Sequence, residues 1–152
     1  MLKYLVLLIP AAALAADPAG FVVWKSAELK GMEKKLAPKI DAQKVATQQL
    51  ENYGNHSTMV AHREGDGQAE LHVKVADVFV VQSGEGTVVV GGKIIGEKNT
   101  APGEVCGDTI EGGSKHPVAA GDVVHIPANT PHQMLVGQGK QVTYFVVKVE
   151  TK

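Results

Sequence analysis

From Val45 onward the chain is written in short apolar runs, and their punctuation constrains the fold more than any other feature. HSTMVAHR (56–63), ELHVKV (70–75), VFVVQ (78–82), TVVV (87–90), KIIG (93–96), VVHIP (123–127), HQMLV (132–136) and VTYFVVKV (142–149) are rich in Val, Ile, Thr, Phe and Tyr. Gly, Pro, Asn and Asp separate them. Candidate strands at this spacing predict an all-β domain, an antiparallel sandwich or barrel. Ser83-Gly84-Glu85-Gly86 and Gly91-Gly92 supply the positive φ that hairpins need, and Ala128-Asn129-Thr130-Pro131 reads as another tight reversal. No helix pattern follows the glycines, which argues against a phosphate-cradling loop.

Two segments depart from that rhythm. In SAELKGMEKKLAPKID, Leu29, Met32 and Leu36 recur at helical spacing, Ser26 is a suitable N-cap and Pro38 a stop. One amphipathic helix is expected there, packed on the domain or on a second subunit. Between Glu97 and Pro117 the chain is glycine-rich and weakly patterned, longer than an ordinary connection, and is expected to form a lid or an oligomer contact.

The first residues predict export. Lys3 precedes an apolar run from Leu5 to Leu14, and Ala13-Leu14-Ala15 offers small residues for signal-peptide cleavage after Ala15 or Ala16. The run meets Asp17 and Pro18 well short of the ~20 residues a membrane span needs, so no membrane association is expected after cleavage. Removing residues 1–16 from 152 leaves 136, enough for one core. Losing Lys3 leaves 14 basic against 16 acidic residues, a net charge near −2, which disfavours nucleic acid as a partner. Cys106 is the only cysteine, so no internal disulfide forms; it is an inert half-buried thiol, a reactive one, or a bridge between subunits.

Glu70 and His72 stand two apart on a strand and therefore project to one face. Asp77 opens the next strand, and His132 follows a Pro-containing turn at the start of another. Two imidazoles and two carboxylates form a reasonable mixed site for Mn²⁺, Fe²⁺, Ni²⁺ or Zn²⁺. Carboxylates that face a barrel interior need a cation, and Arg63 and Lys74 are the rivals to a metal in that role. His56 and His62 share one face of their strand with Thr58 and Val60, and both are candidates for proton transfer beside the pocket. His125 faces the barrel or the opposite surface, and His116 is expected in solvent.

These residues resemble the two motifs of the cupins. Aligned on Gly84, Asp77 stands at the glutamate position of the first motif, His72 at its second histidine and Glu70 at its first, with Gly65 one residue from the expected glycine. In the second motif Gly121, Pro127 and His132 fall in register, while Asn129 replaces the inner glycine and Val136 the terminal asparagine. The resemblance spans roughly 45–149. It implies a cupin-type antiparallel β-barrel or jelly roll at 45–152, preceded by a helix-bearing segment at 17–44 and the leader at 1–16. It also implies one divalent metal on Glu70, His72, Asp77 and His132, in place of three histidines and a glutamate. The expected function is that of a secreted or periplasmic protein acting on a small polar hydroxy or keto compound as isomerase, lyase or dioxygenase. The alternative is a non-catalytic module that binds a small ligand or metal. A homodimer is expected, with Phe21 to Trp24 covering an exposed sheet edge.

Overall fold

The computed structural model describes residues 16–152; the leader expected at 1–16 lies outside the described residues but for Ala16. The helix α1 runs Ser26–Leu36 and passes into a single 3₁₀ turn, Ala37–Lys39, at Pro38. Its cap is Lys25 and not Ser26: the Lys25 backbone N–H donates to Glu28 Oε2 at 3.4 Å, and Ser26 is already helical. The expected stripe is buried on the domain itself, where Met32 and Leu36 pack on Ala46 and Val60 with Leu29 beside them.

Twelve strands follow: β1 Val45–Asn52, β2 His56–Arg63, β3 Ala69–His72, β4 Val75–Val90, β5 Lys93–Ile95, β6 Lys98–Ala101, β7 Glu104–Gly107, β8 Thr109–Glu111, β9 Ser114–Ala119, β10 Val123–Ile126, β11 His132–Leu135 and β12 Val142–Glu150. Ten of them form one curled antiparallel sheet in the order β1-β2-β12-β4-β11-β3-β7-β6, with β9 and β10 also bonded to β4, while β5 and β8 pair separately. The curl encloses a core of Phe79, Val81, Val88, Ile126, Met134, Val142, Tyr144 and Val146.

The expected hairpin at Ser83–Gly86 does not exist. VFVVQ and TVVV are one sixteen-residue strand, whose first part pairs with β10 and β12 and whose last part pairs with β9 and β11. Gly84, at φ 74°, supplies the bend between the two parts, and a Cβ there would run into the Gln141 carbonyl. A glycine pair in a β pattern marks a bend or a bulge as readily as a turn, and here the strand's two halves each have partners waiting. The weakly patterned interval is likewise ordered strand: β6 to β9 occupy most of it, and β7 closes against β3 as part of the barrel wall.

Candidate metal centre in the barrel

Register brings the site together. Glu70 and His72 lie on β3, His132 on β11 directly opposite Glu70, and Asp77 on β4 directly opposite Lys148 of β12. Beside them β7 sets Glu104 opposite His72 and Cys106 opposite Glu70. Glu70, His72, Asp77, Glu104, Cys106 and Lys148 line a cavity of about 300 Å³ together with Arg63, Phe79 and Tyr144. A wider groove of about 700 Å³ on the adjoining surface shares Arg63 and Glu70 with it.

Both histidines are anchored through one nitrogen and turn the other inward. His132 is 4 % exposed. Its Nδ1 donates to the Thr130 carbonyl at 3.0 Å, which leaves Nε2 as a bare lone pair without a hydrogen-bond partner among the described residues. His72 Nδ1 bonds the Glu104 carboxylate, and its Nε2 points to the same space. Glu70 Oε2 lies 3.7 Å from His72 Nε2 and 3.9 Å from His132 Nε2, and one donor atom from each of these three residues falls within 4.8 Å of the others. Asp77 Oδ2 is 3.5 Å and 3.6 Å from the same two nitrogens. All four predicted metal residues are therefore adjacent, with Glu70, His72 and His132 grouped as one three-donor set.

The charges around them are arranged by burial and by two cations. Burial alone would raise the Asp77 carboxyl, but the hydrogen bond from His72 and the charge of Lys148 outweigh it and hold Asp77 below the ordinary carboxylate range. Lys148 Nζ sits 3.0 Å and 3.1 Å from the two Asp77 oxygens and 3.0 Å from His72 Nε2. For His132 burial dominates and depresses the pKa, which keeps the imidazole neutral near pH 7. For His72 burial pulls the same way, yet the bonds to Asp77 and Glu104 reverse it. Burial and the neighbouring Glu70 charge push the Cys106 thiol up, away from a reactive thiolate.

Arg63 partners Glu70 at 3.8 Å, as a rival cation was expected to, and its Nε donates to the Tyr144 hydroxyl at 3.0 Å. Lys74 does not take part: it lies in the exposed β3–β4 turn. The cation on Asp77 is Lys148, which sequence reasoning missed. Its signal was parity, because Tyr144, Val146 and Lys148 share one face and a charge there is out of place. Glu104 had no local signal, since its role comes from the β3–β7 register.

His56 and His62 correct the expectation of proton transfer. They share a strand face as predicted, but it is the outer face, with Val60 under α1, whereas Met59, Ala61 and Arg63 face the cavity. His62 is bonded to Thr143 Oγ1 at 2.7 Å, and His56 stacks on Tyr53. His116 and His125 are both exposed on the sheet's outer surface.

Asn129 adopts φ 58° where the second motif has its glycine, and asparagine is among the few side chains that tolerate that conformation. Gly121 turns at φ 99°. With the curled ten-stranded sheet, the motif geometry matches solved structures. A cupin 2 conserved barrel domain protein from Rhodopseudomonas palustris aligns with TM-score 0.51 at 23 % identity, covering 70 % of this chain and 61 % of its own.

The barrel is a cupin fold.

TT1209 from Thermus thermophilus shares that cupin architecture at TM-score 0.55 and 17 % identity, over 78 % of this chain and 94 % of the other. A Streptomyces PAC13 variant with uridine aligns at TM-score 0.52 and 11 % identity, over 74 % of each chain. No protein-family model and no curated protein matches the sequence.

Proposed function

We propose that this cupin binds one divalent metal through Glu70, His72 and His132 and acts on a small polar molecule in the barrel. The observation that carries the proposal is His132: a buried imidazole whose Nδ1 is committed to a carbonyl and whose Nε2 lone pair faces two carboxylates with nothing bonded to it among the described residues. Metal-bound histidines characteristically fix their other nitrogen in this way, and His72 on Glu104 repeats the pattern. Two imidazoles and one carboxylate suit Fe²⁺, Mn²⁺, Ni²⁺ or Zn²⁺.

A bound ion would supply Lewis acidity, polarising a ligand oxygen or acidifying a water. The chain's own groups do the rest. Arg63, held by Tyr144, offers a guanidinium for the carboxylate or hydroxyl of a ligand in the 300 Å³ cavity, and Phe79 and Val146 give it an apolar wall. The substrate class is a chelating hydroxy or keto compound; a solved neighbour of the same fold holds uridine, also a small polar molecule. Isomerase, lyase and dioxygenase chemistry all use such a site.

A second reading, a non-catalytic module for a small ligand or metal, is favoured by the outward placement of His56 and His62. Apart from the ligand set, Glu104 and Lys148 are the cavity's remaining candidates for moving a proton. Export to the periplasm or outside the cell and homodimerisation belong to the same proposal. They rest on the apolar leader pattern and on Phe21 and Val23, which are 56 % and 51 % exposed.

Elemental analysis of protein purified without an affinity tag for metals, beside Glu70→Ala, His72→Ala and His132→Ala, tests the site. Near-stoichiometric metal in the wild type, lost in all three variants, is the expected result. A wild type that stays empty after reconstitution with each of the four metals would overturn it.

A further inference from the structure

Resting on the metal site proposed above, we infer that Lys148 is an internal competitor for the metal: its ammonium holds the His72 lone pair in the metal-free protein and must leave when an ion binds. Lys148 Nζ lies 3.0 Å from His72 Nε2, and only one hydrogen fits between two nitrogens at that distance. Whichever nitrogen carries it, the Nε2 lone pair is engaged. His72 Nδ1 is already bonded to Glu104, so Nε2 is the only ring nitrogen left for a metal. One lone pair cannot serve an N–H and a cation together.

The rest of the environment fits a displaceable cation. Lys148 is the one lysine lining the cavity among the described residues. It bridges His72 to Asp77, whose side chain is 2 % exposed and otherwise has only the two imidazoles near it among the described residues. The bridge gives the buried carboxylate a positive partner without a metal. Lys148 is itself 29 % exposed and two residues from the end of β12, with a long flexible stem, so it has a route to solvent. When a metal takes His72, Asp77 can accept the ion's charge in place of the lysine's. The site thus exchanges one cation for another and keeps its charge balanced in both states. The consequence is a metal affinity lower than the ligand set alone would give, and a metal that exchanges readily.

Isothermal titration calorimetry with Mn²⁺ and with Zn²⁺ separates this inference from the metal site itself. The proteins are the wild type, Lys148→Met, the pair Lys148→Met with Asp77→Asn, and His132→Ala. Removing the competing hydrogen bond should tighten binding about ten- to a hundredfold in Lys148→Met, the factor that one charge-assisted hydrogen bond commands. The paired variant removes the ammonium and its counter-charge together, which guards against misfolding caused by an unpaired Asp77. It should still bind more tightly than the wild type even though a carboxylate has been lost. His132→Ala should bind weakly. Equal affinity in the wild type and both Lys148 variants, with His132→Ala impaired, would overturn the role of Lys148 and leave the metal site standing. No binding by any of the proteins would overturn both.

Discussion

Replacing His132 with leucine should make the metal-free protein more stable. The side chain is 4 % exposed, its Nδ1 donates to the Thr130 carbonyl at 3.0 Å, and its Nε2 has no partner among the described residues. An unsatisfied buried polar atom costs about 1–3 kcal/mol, and leucine, of similar size, removes that cost. The substitution forfeits the Nδ1 hydrogen bond, worth about 0.5–1.5 kcal/mol. Thr130 is half-buried, so water can replace the lost donor. The difference favours the variant by about 1 kcal/mol, or about 3 °C in Tm for a domain of this size. Metal should reverse the ranking. An ion at a hundred times its Kd stabilises the wild type by about 2.7 kcal/mol and leaves the leucine variant nearly unaffected. Urea denaturation followed by circular dichroism, first with chelator and then with Mn²⁺ or Zn²⁺, measures both halves. A leucine variant that loses more than about 2 kcal/mol in chelator would show that Nε2 is satisfied and refute the reasoning.

Three further outcomes are expected. Glu104→Ala should weaken metal binding about ten- to a hundredfold with little change in fold, because it frees His72 Nδ1; calorimetry with Zn²⁺ reads the change. Gly84→Ala should cost about 2–5 kcal/mol, combining the left-handed backbone with a clash against Gln141, and a thermal melt within a degree of wild type would contradict the bend assigned to that residue. Asp77→Asn has a signed pH dependence in chelator. The folded pKa of Asp77 lies below its ordinary 3.8, so its contribution is fully present above about pH 4 and is lost as pH falls through the folded value. The stability gap between wild type and variant, about 3 kcal/mol near neutrality for a buried pair with one partly exposed partner, should close on acidification below pH 4. A gap that stays constant down to pH 2 would rule out the Asp77–Lys148 pair as its source.

The β class, the helix and the inward set were legible in the order of residues alone. Period-two alternation is local, so Glu70 and His72 could be assigned to one face, and the second motif's turn could be seen at Asn129 and Pro131. That His56 and His62 share a face could be seen as well, because that too is parity. Which face lies inside is not a local property: it depends on the β1–β2–β12 pairing and on α1 choosing the side with Val60. The same holds for the long strand β4. Gly84 and Gly86 suit a turn as well as a bend, and only the partners available to each half of the strand decide between them. Lys148 and Glu104 are separated from His72 by 76 and 32 positions, and tertiary register alone brings them to its two nitrogens. Residue type and spacing thus fix which groups have the chemistry of a ligand. The closing of the barrel fixes which of them meet, and places an ammonium where a metal would need the lone pair.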